Sequence, residues 1–411
     1  MMLKNLTIST AAFLFIFNLN VFSQGQTHTI TPNELSGQMN VVSSAVPFLT
    51  ISPDSRAGAM GDVGVATSPD INSMHWNPAK YAFIENQAGI AISYTPWLKY
   101  LVNDINLATL SGFYRIDNRQ VIAGSLVYFS LGEIDFRDGN GAPIKQGKPN
   151  EFSFDAAYSR MFGDHFSGGV AFRYIRSDLA SGTYVNSVET KAGQAFAADI
   201  SAYYNKKVKL SDRDGKIAFG IDISNIGTKM SYTDGLKNKN FLPTNLRLGG
   251  ALTVDFDAYN SMTFSTDINK LLIPTPPFYL TNSQGGDSLN ADKTRAIKGE
   301  LSDVGVVQGM LQSFYDAPGG FKEEMKEFIY SFGIEYWYRK QFALRGGYFH
   351  EAETKGNRKY FTMGCGLKFN VFGLDFSYLV PTAANNPLAN TLRFTLTFDF
   401  DAFRKLKEKE K

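Results

Sequence analysis

The side chains best suited to acid–base chemistry are four scattered histidines, and no motif joins them to a nucleophile. Hydrolysis needs a nucleophile and a base within hydrogen-bond reach of each other. The chain has no GxSxG motif and no HxH or HxxxH pair among His28, His75, His165 and His350. Only His350 falls on a predicted strand, near its outer end, where a loop or aromatic-belt role suits it better than catalysis. No catalytic residue and no enzymatic activity are predicted.

Two short segments could bind a phosphate or a cation, but each departs from the motif it resembles. Gly61-Asp62-Val63-Gly64 lacks the Lys-Ser/Thr pair and the preceding strand of a phosphate loop. The Asp135–Gly141 stretch, DFRDGNG, offers oxygen ligands but misses the EF-hand spacing, so a tight turn is favoured over calcium binding. The single cysteine, Cys365, excludes an internal disulfide and a cysteine cage. No metal and no cofactor are predicted.

The bulk composition points away from nucleic acid and toward a membrane. The 411 residues carry a formal charge of only +2 at pH 7, which gives no reason to expect a nucleic-acid partner. Aromatic residues make up 14%, with 34 Phe and 20 Tyr, as aromatic girdles at two membrane interfaces would require. The mean hydropathy of −0.18 is compatible with this, because strands with one apolar and one polar face average out.

The N-terminus has the features of an export signal. Lys4 precedes an apolar run from Leu6 to Phe22, and Ser23-Gln24 follows it. This pattern predicts a secretory signal peptide over residues 1–24. No later window of 18 residues is apolar enough for a spanning helix. An exported chain of this kind is periplasmic, secreted or an outer-membrane barrel, with lipid around it in the last case.

About 14 segments alternate apolar and polar residues with a period of two, which is typical of half-buried strands. In 216–225, for example, Ile217, Phe219, Ile221 and Ile223 alternate with small or polar residues. The predicted strands are 88–96, 103–115, 120–132, 151–161, 166–177, 194–204, 216–225, 246–256, 261–272, 328–338, 342–351, 360–369, 372–380 and 392–400. They predict an all-β fold, a transmembrane 14-stranded antiparallel barrel over residues 86–400.

The connections between these strands are alternately long and short, except that the link Asn205–Gly215 is longer than the other short ones. Outer-membrane barrels have short periplasmic turns and long outside loops. Both chain ends are then expected in the periplasm, including a solvated tail over 401–411. The polar faces carry charges that we expect to line the lumen: Asp155, Arg173, Asp199, Asp222, Arg247, Asp267, Arg345, Asp375 and Arg393.

The stretch from Ser55 to Ala79 has neither a helical stripe nor clean strand alternation. It is rich in glycine and alanine, which allow tight turns and close backbone approach. Its polar backbone groups need partners if they are buried. We therefore predict that residues 25–85 form an N-terminal arm and a plug inside the barrel.

The loop 273–327 is unlike the others. It opens with Ile273-Pro274-Thr275-Pro276-Pro277, and a helical pattern follows at Glu300–Tyr315, with Leu301, Val304, Val307, Leu311 and Phe314 on one face. After Pro318-Gly319-Gly320, another turn or two brings Phe321, Met325 and Phe328 together, with Lys322, Glu323, Glu324 and Lys326 expected outward. The apolar face must rest on the barrel rim, the lumen mouth or another protein, and the rim is the favoured support.

Several motifs together resemble one family. Trp76-Asn77-Pro78-Ala79, preceded by Arg56-Ala57-Gly58-Ala59-Met60-Gly61, is similar to the plug of FadL-type outer-membrane barrels, and within them of the PorV family of type IX secretion. The prolines after 267–272 and the Phe321–Glu324 element after Gly319-Gly320 also resemble that family. The likeness covers residues 45 to 400.

The resemblance implies a 14-stranded barrel with a plug, which binds a SprA-type translocon and covers its lateral opening. It implies a shuttle that accepts C-terminal signal domains of exported proteins and passes them to PorU-type attachment machinery. The corresponding plug residues are Arg56, Met60, Gly61, Trp76, Asn77, Pro78 and Ala79. The residues predicted to bind a partner in the outer loop are Pro274, Pro276, Pro277 and Phe321, from the segments that carry the resemblance, and Val307, Leu311 and Phe314, from the helical pattern.

A second function stays open, namely a FadL-like channel for hydrophobic small molecules. In that case the plug would move and a pocket in the lumen would be apolar. The charged inward faces favour the secretion role.

Overall fold

Fourteen antiparallel strands close into a barrel in the computed structural model of the chain. The structure describes residues 39–99, 102, 104–137, 142–180, 182–185, 188–233, 239–279, 297–383 and 386–401. The predicted signal peptide, the arm up to residue 38 and the tail from residue 402 lie outside the described residues. Among the described residues, no helix has both the length and the apolar character needed to cross a bilayer.

The barrel strands follow the chain order, and each pairs with its sequence neighbours. The first strand also pairs with the last, for example Ile92 with Leu396, which closes the sheet. The predicted fold class is confirmed. The strands are β1 Ala88–Pro96, β2 Asn106–Arg115, β3 Gln120–Ser130, β4 Asn150–Met161, β5 Phe166–Asp178, β6 Gly193–Leu210, β7 Arg213–Gly227, β8 Asn245–Asp255, β9 Asn260–Leu271, β10 Ile329–Tyr338, β11 Phe342–His350, β12 Lys359–Lys368, β13 Phe372–Pro381 and β14 Leu392–Asp399.

Other elements of the described chain are short. Two-stranded hairpins lie in the long loops at Ile134–Arg137 with Pro143–Gly147, Tyr184–Val185 with Val188–Glu189, and Phe278–Tyr279 with Ile297–Lys298. The α-helices are α1 Ser55–Gly58, α2 Ser73–Trp76, α3 Val306–Gln312 and α4 Phe321–Glu324. Short 3-10 helices occupy Pro47–Thr50, Pro78–Phe83, Met325–Glu327 and Glu353–Lys355.

The prediction of a long link at Asn205–Gly215 is wrong. β6 and β7 continue through this stretch as a hairpin, in which Lys209 lies opposite Asp214 and a turn at 211–212 joins them. Ser211 takes a left-handed backbone conformation, with φ 56°, to make the turn. The charged residues hide the strand pattern, because a hairpin that projects beyond the lipid no longer needs an apolar face.

The strand periodicity separates two chemically different surfaces. Outward side chains such as Leu110, Phe154 and Phe196 are large, apolar and exposed. Inward neighbours such as Ser111 and Asp155 are small or polar and buried. A closed barrel also satisfies every ladder hydrogen bond, as a lipid environment requires. The wall therefore matches a bilayer outside and a polar filling inside.

A luminal segment, which we define as Met39–Ile84, passes through the barrel from one end to the other. At the end that carries the long loops, the Ala45 N–H donates to the Phe241 carbonyl at 2.8 Å. At the end that carries the short turns, Tyr81 and Ile84 pack with Phe113 and Val121. The segment therefore threads the lumen along its whole length.

The two ends of the described chain lie at opposite ends of the barrel. The Asn40 N–H donates to the Thr354 carbonyl in the long loop 351–358. Asp401 accepts a hydrogen bond from the Gln87 N–H at the short-turn end. The N-terminus, which the sequence predicts to lie on the short-turn side, is outside the described residues, and the first residues that are described find their backbone partners in the long loops.

Candidate functional site

Arg56 joins the luminal segment to the barrel wall. Its guanidinium donates to both carboxylate oxygens of Glu335, at 2.8 and 2.9 Å, and to Asp70 at 2.8 Å. Glu335 also accepts from Arg345 at 2.7 Å, and Arg345 in turn donates to Asp375 at 2.6 Å. Bidentate pairing of this kind is strong and geometrically specific. The segment and the wall therefore share one ion-pair network.

The Asn77-Pro78-Ala79 turn is held by hydroxyl groups of the wall. Ser159 donates to the Pro78 carbonyl at 2.6 Å, and Ser167 donates to the Ala79 carbonyl at 2.7 Å. The Ala79 N–H donates to the Ser201 hydroxyl at 3.0 Å. Buried backbone groups outside regular structure need such partners. The inward serines of β4, β5 and β6 thus supply the hydrogen bonds of an irregular segment.

Asn77 and Trp76 hold different turns of the luminal segment together. The Asn77 amide donates to the carbonyls of Val65, at 3.1 Å, and Ala202, at 3.0 Å. The Trp76 indole N–H donates to Asp54 at 2.8 Å, and Asp54 also caps α1 by accepting from the Ala57 N–H. The Trp-Asn-Pro-Ala motif therefore connects parts of the luminal segment that are distant in sequence and fixes them to the barrel wall.

Met60 and Gly61 lie against the backbone of β11. Gly61 has a φ of 70°, and its N–H donates to the Thr362 hydroxyl at 2.8 Å. A Cβ on Gly347 of the wall would lie 2.1 Å from the Met60 carbonyl carbon and the Gly61 nitrogen. A glycine is therefore required at position 347 for the segment to approach this closely.

The charged inward residues predicted from the sequence lie in the lumen, and most are paired there. Arg173 bridges Asp155 at 2.6 Å and Asp199 at 3.1 Å. Asp267 accepts from the N–H groups of Gly64, at 2.7 Å, and Val65, at 3.0 Å. Further pairs are Arg247 with Asp222 and Arg393 with Asp62. Burial of these charges is tolerated because each meets an opposite charge or a backbone donor.

The loop prolines lie inside the packing of the outer loops. Pro274 and Pro277 are buried, and Pro276 is half-buried. The Pro276 carbonyl accepts a hydrogen bond from the Asn40 side-chain amide at 2.9 Å. The expectation that all three form a contact surface is wrong for Pro274 and Pro277. They shape the loop instead, since proline fixes the backbone and removes an N–H that would need a partner.

Helix α3 is shorter than predicted and faces the other way. It begins after Gly305, whose backbone is extended (ψ 159°), so residues 300–304 are outside the helix. Gly309 packs against Phe241 and Pro274, and Gln312 is buried. Val307 and Leu311 are 69% and 64% exposed. The prediction that the apolar face rests on the rim is therefore wrong: the small and polar face packs, and the apolar face points outward.

Phe314, Tyr315 and Phe321, in the same loop, are also exposed. Phe321 is 77% exposed at the start of α4, and Phe314 and Tyr315 follow directly after α3. We call Val307, Leu311, Phe314, Tyr315 and Phe321 the apolar ledge. No residue from Val304 to Tyr315 is charged. Several large apolar side chains exposed in one loop are typical of a site of interaction with protein or membrane.

A buried charge cluster fixes the loop beneath the apolar ledge. Lys270 pairs with Glu327 at 2.6 Å and with Glu324 at 3.3 Å. Lys355 pairs with Glu327 at 2.9 Å and with Glu323 at 2.6 Å. The prediction that Glu324 points outward is wrong, because it turns inward to Lys270. Sequence reasoning missed this cluster, since its lysines come from β9 and from the loop 351–358.

Burial raises the pKa of Asp316, in the same loop, to about 6, and the charges of Glu324 and Glu327 contribute to the shift. Asp316 accepts from the Thr275 N–H at 3.0 Å. Burial also raises the pKa of Glu324. For Glu327 burial acts in the same direction and is the largest single effect, but the charges of Lys270 and Lys355 and the hydrogen bonds from Lys270 and Thr275 together outweigh it and lower the pKa. The loop therefore contains carboxyl groups whose pKa values are shifted in opposite directions.

A family model of the type IX secretion system protein PorV matches residues 34–278, which is more than half of the chain. The chain belongs to the PorV family. The match spans the luminal segment and the first nine barrel strands. This PorV-family barrel is an outer-membrane component of type IX secretion.

Solved structures of hydrocarbon and FadL-type channels are similar to this PorV-family barrel in architecture. A TodX deltaS2S3 mutant monoaromatic hydrocarbon channel has 12% identity and a TM-score of 0.47, with 84% of this chain and 98% of that chain covered. The CymD monoaromatic hydrocarbon channel has 11% identity, a TM-score of 0.46 and coverages of 87% and 99%. A Pseudomonas aeruginosa FadL homologue has 11% identity, a TM-score of 0.42 and coverages of 88% and 100%. No curated protein matches the chain in sequence.

Replacement of Gly347 by alanine should displace the luminal segment at Met60–Gly61. The added Cβ would meet backbone atoms at 2.1 Å, whereas at Gly346, on the outward face, the nearest atom would be 3.9 Å away. In limited proteolysis of the refolded barrel, the luminal segment of the Gly347→Ala variant should be cut at least several-fold faster than that of the wild type. The Gly346→Ala control should match wild type, and equal rates for all three proteins would contradict the close contact.

Replacement of Arg173 by methionine should destabilise the barrel strongly. It leaves the buried carboxylates of Asp155 and Asp199 without their cation, which costs about 3–5 kcal/mol. Arg176 of the same strand pairs with Asp178 at a more exposed position, so Arg176→Met should cost only about 0–1 kcal/mol. Urea unfolding in lipid vesicles measures both, and similar losses for the two variants would contradict the paired lumen.

The outer loop should become more stable as the pH falls from 7 to 5. A carboxyl group whose folded pKa is raised stabilises the folded form fully below its unfolded pKa, and this contribution is lost as the pH rises through about 6. The rate of hydrogen exchange at the Thr275 amide, corrected for the intrinsic pH dependence of amide exchange, should fall by up to about tenfold as the pH is lowered from 7 to 5. Asp316→Asn should lose most of this dependence, and an unchanged dependence in the variant would exclude Asp316 as its source.

Proposed function

We propose that this PorV-family barrel is a non-enzymatic secretion component that acts by protein contact through its outer loops. The observation that carries the proposal is the orientation of the apolar ledge. Val307 and Leu311 are turned away from the barrel although Gly309, between them in sequence, is packed against it. A rigid scaffold that displays a binding surface on its loops is a common arrangement.

The proposed partner of the apolar ledge is a SprA-type translocon. Val306, the sequence neighbour of Val307, lines a surface cavity with Phe172, Phe196 and Ile226 of β5, β6 and β7, so the helix that carries the apolar ledge reaches the outer wall of the barrel. A surface that runs from loop to wall suits a neighbour that is itself embedded in the membrane. Family membership supports the same choice, since type IX secretion needs a translocon.

The proposed cargo is the C-terminal signal domain of exported proteins, which the barrel would pass to PorU-type attachment machinery. In this arrangement the long loops face outside the cell and the short turns face the periplasm. The luminal segment acts as a permanent plug within an arm and plug over 25–85, in a barrel over 86–400. Residues 1–24 act as the signal peptide, and 401–411 form a periplasmic tail.

A channel for hydrophobic small molecules is the second candidate, and one cavity favours it. A cavity of about 310 Å³ lies between the luminal segment and the wall at the short-turn end, where Ile71, Ile84 and Phe113 contribute apolar surface. Arg56 and Asp70, which are ion-paired to each other, also line it. Passage through the lumen would require the segment to break this pairing, so we favour the secretion role.

The double substitution Val307→Asp/Leu311→Asp should abolish translocon binding. Two carboxylates would have to be buried in an apolar contact, and we expect at least a tenfold loss of translocon recovered with the barrel from detergent-solubilised membranes. Tyr184→Asp is the matched control, because Tyr184 is 69% exposed on a different long loop. Heat-dependent gel mobility verifies that each barrel is folded.

Two outcomes would contradict the proposal. Undiminished translocon recovery with the folded double variant would exclude the apolar ledge as the contact. Deletion of the protein with normal secretion but lost uptake of a hydrophobic compound would favour the channel instead.

A further inference from the structure

The first described residues of the chain form a strip at the long-loop end of the barrel. Residues 39–44 have neither helix, turn nor bend. Both ends of the strip are held. The Asn40 N–H and side-chain amide donate to the carbonyls of Thr354, at 3.0 Å, and Pro276, at 2.9 Å. The Ala45 N–H donates to the Phe241 carbonyl at 2.8 Å. Three different long loops therefore fix the strip in place.

Between these anchors the backbone is unpaired. Within the described chain, no N–H or C=O group of Val41–Ser44 makes a hydrogen bond. Val41 is 45% exposed, and Ser43 is also exposed. A run of free backbone donors and acceptors is a template for an added strand. We call Val41–Ser44 the docking strip.

The docking strip lines a cavity of about 350 Å³ at the mouth of the barrel. Pro47, Leu271 and Ile329 give this cavity an apolar component. Its charged groups are two anions and two cations, namely Glu327, Glu351, Lys355 and Arg358.

These four charges are already neutralised by one another and by their neighbours. Arg358 holds Glu351 through two hydrogen bonds of 2.8 Å. Glu327 accepts from Lys355 at 2.9 Å and from Lys270 at 2.6 Å. The described residues that line the cavity therefore offer no free counter-charge to an ionic ligand. The groups that remain free for recognition are the main-chain atoms of the docking strip and the apolar wall.

Main-chain recognition beside an apolar pocket selects an extended peptide. In β-augmentation, backbone hydrogen bonds supply affinity and a pocket receives alternate side chains. Four residues of strand span about 13 Å, which is enough for a short peptide to pair along the docking strip. The anchors hold the strip in place before binding, so little ordering cost remains.

We propose that Val41–Ser44 is the docking strand for an uncharged, extended segment of the exported protein, which adds alongside it by main-chain hydrogen bonds. This inference rests on the proposed function, because the cargo supplies the peptide. It assigns cargo capture to the mouth of the lumen and leaves the apolar ledge for the translocon.

Residue-resolved hydrogen exchange on the full-length barrel tests this inference, with the purified C-terminal signal domain of an exported protein as the probe. A single peptide pairs along one edge of the strip, and successive N–H groups of a strand point to opposite edges, so protection should alternate. Either Val41 and Ser43 or Val42 and Ser44 should slow at least tenfold on binding, and the other pair should not. Thr50, which also lines the cavity but lies outside the strip, should not change.

A matched pair of variants adds a second measurement. At whichever serine is protected, proline removes the donor N–H and alanine keeps it. The proline variant should bind the signal domain at least tenfold more weakly, and the alanine variant should bind within twofold of wild type.

The possible failures are distinguishable. If the signal domain binds but the docking strip shows uniform or no protection, strand addition is excluded and the proposed function stands. If the signal domain does not bind the folded barrel at all, both the inference and the cargo role are overturned.

Discussion

Charge pairing across the boundary between the barrel wall and the luminal segment is the constraint on which the rest of the structure depends. Glu335 is shared by Arg345 of the wall and Arg56 of the segment. A buried charge that loses its partner costs several kcal/mol, so each part stabilises the other. Asp267 repeats the arrangement with backbone donors, since it holds the N–H groups of Gly64 and Val65. The luminal segment occupies the barrel because the buried charged side chains of the wall need its cation and its backbone N–H groups as partners.

The barrel wall could be predicted from sequence because lipid and lumen impose opposite demands on adjacent residues. Phe219 and Ile221 face outward and are exposed, whereas Asp222 faces inward and is buried. This local alternation is sufficient to identify the strands, their number and the short turns, except the turn at 211–212, where charged residues hide the strand pattern. The need of the Ser55–Ala79 stretch for shelter was also visible, since its small residues and polar backbone suit no regular element. The direction in which the luminal segment runs through the barrel could not be predicted, because the hydrogen-bond partners of Asn40 and Ala45 lie in loops that are distant in sequence.

The outer loops could not be predicted in the same way. The apolar stripe of α3 indicates a helix but does not say which face packs, and Gly309 decides this through contact with Phe241 and Pro274. Glu324 is inward because Lys270 reaches it from the end of β9. Both facts depend on contacts between loops that are far apart in sequence. The loops nevertheless have a consistent plan, in which buried ion pairs fix the framework and apolar side chains are left at the surface.

The most direct measurement of the central claim is native-state hydrogen exchange at the Gly64 and Val65 amides, which donate to Asp267. If the luminal segment and the wall form one cooperative unit, these amides should exchange only with global unfolding, at the rate of the most protected strand amides. Exchange at these amides that is much faster than in the strands would show that the segment leaves the wall while the barrel stays folded. The segment and the wall would then not depend on each other for stability.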